Sequence, residues 1–191
     1  SNRDGKQGIY TMNTDGSNVT QLTGGRFDSN PSWSPDGGRL AFMTFKEEDH
    51  EIGEKYNLCM HFMLYTMNVD GTDQKKAAGF PVALSDWSPD GKKIATTSGY
   101  EDSRNFGKDG LVSGAIYVFD LDGKGAGRLT EVLGMAGSPV WSPDGKQIAF
   151  ISVRDNKPAL YVMNSDGKNV KAMSSHLSEV NDPPWSPDGR Y

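Results

Sequence analysis

The chain has 191 residues, 25 of them acidic and 20 basic, for a formal net charge of -5. That balance argues against a nucleic-acid surface, which needs a basic stripe to neutralise phosphates, so no nucleic-acid partner is expected. No apolar run reaches the roughly 18 residues of a membrane span, and the single cysteine, Cys59, excludes an intramolecular disulfide or a cysteine-based zinc site.

Taken in chain order, the sequence repeats itself. Ser1 to Tyr10 align without a gap on Ser152 to Tyr161, so the chain is expected to open in the turn between the second and third strands of a repeat. Met12-Asn13-Thr14-Asp15-Gly16 returns as Met67 to Gly71, Phe119 to Gly123 and Met163 to Gly167. Between these turns stands Trp-Ser-Pro-Asp-Gly, beginning at Trp33, Trp87, Trp141 and Trp185, at intervals of 54, 54 and 44 residues. Two landmarks in nearly constant phase mark a structural repeat, which takes precedence over local propensity.

The most regular unit runs from Ser138 to Met173. Ser138 to Trp141 reads as a short strand ended by a Ser-Pro-Asp-Gly turn. Gln147 to Ile151 and Ala159 to Met163 are rich in β-branched and aromatic residues and read as two more, and Asn169 to Met173 as a fourth. Four short strands in roughly 40–45 residues is the period of a propeller blade, and no segment sustains a helical period. Asp-Gly supplies the positive φ of a tight turn, Pro presets the turn backbone, and each Trp is expected to pack between neighbouring blades.

The Trp-Ser-Pro-Asp-Gly corner, Ile148-Ala149-Phe150, Leu160-Tyr161-Val162-Met163-Asn164 and the Asp-Gly turn resemble the WD40-like repeat of TolB-type β-propellers. They are also similar to repeats in the propeller domains of prolyl-oligopeptidase-like peptidases. The resemblance implies an all-β fold: one propeller over 1–191, about four blades of four antiparallel strands marked by Trp33, Trp87, Trp141 and Trp185. A segment of a larger ring is expected, with a closed four-bladed ring as the alternative. Open blade edges predict self-association rather than a stable monomer.

For function, the resemblance implies a binding scaffold in a periplasmic or otherwise extracytoplasmic location, with a protein or cell-envelope ligand. The alternative it implies is the gating propeller of a serine peptidase whose catalytic domain lies outside these residues. Within them no nucleophile elbow, zinc-binding helix or phosphate loop is found, so no catalytic residue, metal or cofactor is assigned. The histidines are His50, His61 and His176; His61 falls in an apolar stretch entering a third strand and reads as packed.

The binding face is expected where the repeat is expanded. Phe150 and Tyr161 are 11 positions apart, whereas Phe42 and Tyr65 are 23 apart and Thr96 and Tyr117 are 21. Both insertions fall between second and third strands and emerge beside the connections entering the next inner strand. The first, 46–56, holds five carboxylates and His50 and reads as a solvated acidic loop; a cation site there is the competing reading. The second, 99–110, carries Tyr100, Asp102 and Arg104. Arg26, Asp28, Asp86 and Asp182, ahead of the inner strands, complete the expected ligand-binding set. Asn30 and Asp182 each precede a proline, and a role in shaping the chain there is the competing reading. The string Asp120-Leu121-Asp122-Gly123 is not read as a calcium loop, because Lys124 stands where a third oxygen ligand would fall.

Overall fold

The computed structural model describes residues 2–3, 6–25, 27–45, 62–78, 82–98, 114–121, 127–130, 136–154, 157–174, 185–186 and 188–189. Among these every regular element is a β-strand and no helix occurs, so none is long and apolar enough to cross a membrane. The chain forms two compact units, Ser1–Pro81 and Val82–Tyr191.

The first unit opens with a hairpin of β1 (Asn2–Arg3) and β2 (Lys6–Gln7), then a two-stranded sheet of β3 (Tyr10–Thr11) and β4 (Thr20–Gln21). A four-stranded meander follows: β5 (Ser29–Trp33), β6 (Arg39–Thr44), β7 (Met63–Asn68) and β8 (Lys75–Lys76). The second unit holds two such meanders. One is β9 (Ser85–Trp87), β10 (Lys93–Ser98), β11 (Ala115–Asp120) and β12 (Gly127–Arg128). The other is β13 (Ala136–Trp141), β14 (Gln147–Arg154), β15 (Lys157–Asn164) and β16 (Lys171–Ala172). These are the expected four-stranded antiparallel blades, three of them complete. The opening alignment also holds in register, because Asn2↔Gln7 and Arg3↔Lys6 repeat Val153↔Pro158 and Arg154↔Lys157.

Each first-to-second-strand corner is closed by its own serine and aspartate. Ser34 Oγ donates to Asp36 Oδ1 at 2.6 Å, the Gly38 N–H donates to the same oxygen at 3.0 Å, and the Arg39 N–H donates to Ser34 Oγ at 2.9 Å. Ser88 with Asp90 and Ser142 with Asp144 make the same set, and Ser186 donates to Asp188 at 2.6 Å. The third-to-fourth-strand turns use the next Asp-Gly. Asp15 and Asp70 accept from the backbone and hydroxyl of Ser17 and Thr72, and Asp166 accepts from the Lys168 N–H. Gly71 and Gly167 there have φ of +84° and +83°, and a Cβ on either would stand 3.0 Å from the Leu22 or Leu129 carbonyl oxygen of the preceding sheet. The turn therefore needs glycine for its backbone and for its neighbour.

A further periodic contact is invisible as a motif. The backbone N–H of Ile9, Ile116 and Leu160 donates to the hydroxyl of the residue 14 positions on, Thr23, Thr130 and Ser174. In the β5–β8 sheet that position is Ala78, although the neighbouring Ala77 N–H to Leu64 carbonyl bond is kept at 2.8 Å.

The sheets bury their faces against one another within each unit. In the second unit Ala95, Ile116 and Val118 of one sheet share a cluster with Ala136, Trp141, Ile148, Phe150 and Met163 of the next. In the first, Ile9 and the half-buried Leu22 pack with Leu40, Phe42, Met63, Tyr65 and Met67. The tryptophans are not equivalent, which corrects the expectation from sequence. Trp87 and Trp141 are 5% and 7% exposed, but Trp33 is 54% exposed. Trp141 meets the preceding sheet through Ala95 of its second strand. The sheet preceding Trp33 shows only its outer pair, β3–β4, among the described residues, so no such strand covers the indole.

Trp141→Ala is therefore expected to cost about 3–5 kcal/mol, the range for truncating a buried aromatic, and Trp33→Ala no more than about 0.5 kcal/mol. Urea unfolding followed by circular dichroism compares them, and equal losses would remove the inter-sheet role given to Trp141. Ala78→Ser should restore the missing hydroxyl opposite the Leu64 N–H and raise stability by about 0.5–1.5 kcal/mol. A lowered urea midpoint for that variant would show that the site has no room for it.

Candidate functional site

In each meander the second-to-third-strand connection and the connection into the next inner strand lie at one end, and the Ser-Pro-Asp-Gly corners lie at the other. The expected ligand face is the first of these. Of its sequence-predicted residues, Arg26, His50, Tyr100, Asp102, Arg104 and Asp182 lie outside the described residues, as do both insertions. Asp28 and Asp86 are described.

Asp28 is buried, and its Oδ2 accepts from the Gly25 N–H at 2.8 Å while its own N–H faces the Gly25 carbonyl at 3.4 Å. A Cβ on residue 25 would overlap the carboxylate, so glycine lets the side chain fold back onto its own loop. Asp28 thus sets the path of the chain into β5.

Asp86 acts between sheets. From β9 its Oδ2 accepts from the Trp141 N–H of β13 at 2.8 Å, and the carboxylate also accepts from the Trp87 N–H. Burial outweighs these bonds and holds its pKa above the usual carboxylate range. Asp86 is therefore a lateral clamp along the inner strands, set in a partly desolvated place.

The inner strands carry a second peculiarity. In β5 and β13 the register shifts between Ser29 and Ser32 and between Gly137 and Val140. Asn30 and Ser138, three positions before the tryptophans, have φ of 49° and 51°. Both precede a proline, and a bulge at this point bends the strand and turns its side chains. β9 pairs without a shift from Ser85 to Trp87. Residue 30 therefore does shape the chain before its proline. Its amide also reaches Met43 Sδ at 3.6 Å.

Sequence reasoning missed a groove at the opposite end of the second unit. A cavity of about 470 Å³ opens between two corners, with Pro89, Asp90 and Lys93 on one wall, Asp144, Gly145 and Ser165 on the other, and Trp141 and Val118 among its lining. Hydrogen bonds from Ser88 and the Lys92 N–H hold the Asp90 carboxyl below the usual range. The Lys146 N–H and the Ser142 hydroxyl do the same for Asp144. Lys93 pairs with Asp120 at 3.1 Å. Both carboxylates thus stay ionised at neutral pH, and Lys146 pairs with Asp144 at 3.3 Å, so the groove sets ionic groups of both signs beside an indole. The only sequence signal was the corner motif itself, which does not say that two corners leave space between them. Among the described residues no group of three or more His, Cys, Asp or Glu is placed to hold a metal ion.

The family model for the TolB beta propeller domain matches residues 31–191. A protein TolB homolog of Chlorobium chlorochromatii is 33% identical over 155 residues, covering 81% of this chain and 30% of the relative. The uncharacterized peptidase YuxL of Bacillus subtilis is 30% identical over 170 residues, covering 74% of this chain and 24% of the relative. The chain thus spans less than a third of the length of either. Among solved structures, TolB from Acinetobacter baumannii is similar with a TM-score of 0.69 at 22% identity, covering 94% of this chain and 40% of that one; at that identity the likeness concerns the fold.

The Asp86 clamp carries a pH signature. A carboxyl whose pKa is raised on folding favours the folded state as it takes up its proton, so its ionisation works against stability at neutral pH. The corner aspartates Asp36, Asp90 and Asp144, with lowered pKa values, have the opposite sign and lose their contribution as pH falls below the usual carboxylate range. Asp86→Asn keeps an oxygen for the Trp141 N–H and cannot ionise. It should unfold at higher temperature than wild type at pH 7, with the gap closing as pH falls through the raised Asp86 pKa. A variant less stable than wild type at pH 7 would show that the charge strengthens the clamp more than burial penalises it.

Proposed function

The chain belongs to the TolB beta-propeller domain family, and we propose on that footing that it is a non-catalytic binding propeller. Its ligand is a protein or another component of the bacterial envelope, met outside the cytoplasm. The ligand face is the end that bears the two insertions, with Arg26, His50, Asp86, Tyr100, Asp102, Arg104 and Asp182 around it and Asp28 shaping the entry to β5. One observation carries this reading: the strands and corners hold their spacing across the repeats, while both expansions fall in the same connection, 46–56 and 99–110. Loops freed from core packing are where a scaffold of this kind places recognition. The set mixes carboxylates, guanidinium groups and an aromatic ring, which suits a polar protein surface better than a small apolar ligand.

A second reading has its own support. The likeness to the Bacillus subtilis peptidase favours a propeller that gates a hydrolase elsewhere in the polypeptide. Covalent capture of an activity-based fluorophosphonate by the polypeptide carrying this chain would establish it.

The binding reading is tested by photo-crosslinking residues introduced at positions 50 and 102 on the insertions and at 90 and 144 on the corner groove. The chain is exposed to a solubilised bacterial envelope fraction. Adducts are expected from 50 and 102 and should disappear when residues 46–56 and 99–110 are shortened to the length of the regular unit, with the melting temperature unchanged. Adducts only from 90 and 144 would move the ligand face to the groove and overturn the assignment.

A further inference from the structure

We propose that the groove between the Asp90 and Asp144 corners binds an organic cation, a guanidinium or ammonium group on an apolar body, with Asp90 as its counter-charge. The site lies at the end of the second unit opposite the insertions and stands whether or not these bind a ligand.

The groove goes with a departure from the repeat. Ser165 in its lining precedes the Asp-Gly of the third-to-fourth-strand turn, and the other repeats carry Thr14, Val69 and Leu121 at that position. Each of those side chains is larger than serine, so the last sheet fills this place least. The two corners come into contact range at one point, where a Cβ on Gly145 would stand 3.6 Å from Pro89 Cδ. Beside it about 470 Å³ stays open, within the range of roughly 300–1,000 Å³ typical of small-ligand sites.

The charges select what fits. Lys93 is already matched by Asp120 at 3.1 Å, and Lys146 by Asp144 at 3.3 Å. Asp90 is the exception. Its Oδ1 accepts from Ser88 Oγ at 2.6 Å and from the Lys92 N–H at 3.1 Å, which fixes the carboxylate in place. Its Oδ2 has no hydrogen bond or ion pair among the described residues, and neither has the Ser165 hydroxyl. Val118 and Trp141, both buried, give the remaining lining an apolar character. An anion would have to displace Asp120 from Lys93 or Asp144 from Lys146. A hard metal ion needs more oxygen ligands than one free carboxylate oxygen and a hydroxyl. A cation on an apolar body meets both features at once: its charge is answered by Asp90, and its body takes the place of water over Val118 and Trp141.

The probes are phenylguanidine, a blocked tripeptide with a central arginine, and the neutral phenylurea. Each is titrated into the chain while the Trp141 indole N–H resonance is followed by NMR. Saturable shifts are expected from the two guanidinium probes, with phenylurea weaker by about fivefold or more. Asp90→Asn keeps an oxygen for Ser88 and the Lys92 N–H but removes the charge. It should weaken both guanidinium probes by about fivefold or more and leave phenylurea unchanged. Ser165→Leu places in the groove a side chain that the repeat already carries at Leu121. That variant should abolish the shifts with its melting temperature kept. Tighter binding of the tripeptide would assign the cation to a polypeptide side chain, and tighter binding of phenylguanidine to a free small molecule; either supports the site. No saturable shift from either guanidinium probe, equal binding of phenylurea, or binding that survives in folded Ser165→Leu would overturn the proposal. Should Ser165→Leu fail to fold, the phenylurea comparison and Asp90→Asn decide between the same two outcomes.

Discussion

A sheet of four short strands cannot bury either of its faces alone, and that constraint governs this molecule. Each sheet must be covered by the next, as Trp141, Ile148, Phe150 and Met163 are against Ala95, Ile116 and Val118. The strands are too short for intrinsic propensity to hold them, so the dry seam between sheets does most of the stabilising. The remaining features keep that seam in place. Corner serines and aspartates fix where each first strand turns, glycines 71 and 167 let a turn press on its neighbour, and Asp86 ties one inner strand to the next.

The repeated unit was legible in the sequence because its constraints are local. Asp-Gly must appear where φ is positive, and Trp-Ser-Pro-Asp-Gly must appear where one serine oxygen serves a carboxylate and a backbone N–H at once. The four-stranded blades and even the opening hairpin register followed from that. What escaped was relational. The exposure of Trp33 depends on a strand of the preceding sheet rather than on anything beside it in sequence. The hydroxyl 14 residues downstream escaped because threonine and serine are common and alanine replaces them once. The bulges at Asn30 and Ser138 carry only a following proline as a signal, and Leu84, at the same point of its repeat, lacks both the proline and the positive φ.

The candidate ligand residues divide along the same line. Asp28 and Asp86 were chosen as acidic groups ahead of inner strands, and both hold backbone: one its own loop, the other the neighbouring sheet. A carboxylate at such a place shapes the surface that a ligand meets, even when its oxygens are occupied. Asp86 sits where burial raises its pKa while its Oδ2 still accepts from the Trp141 N–H. The groove between the Asp90 and Asp144 corners is the reverse case. There the motif was plain and the space between two copies of it was not.

The corners also bear on how the chain reaches its native state. Each Ser-Asp corner closes a stretch of about six residues through bonds that need no other part of the molecule, so it can form on the timescale of a small loop. Among the described residues, the inter-sheet clusters within each unit join sheets that are neighbours in sequence. Assembly can therefore start at any corner and spread one sheet at a time, a route with a low entropic barrier. The same arrangement lets one sheet detach while its neighbours persist, so partial opening should proceed sheet by sheet rather than all at once.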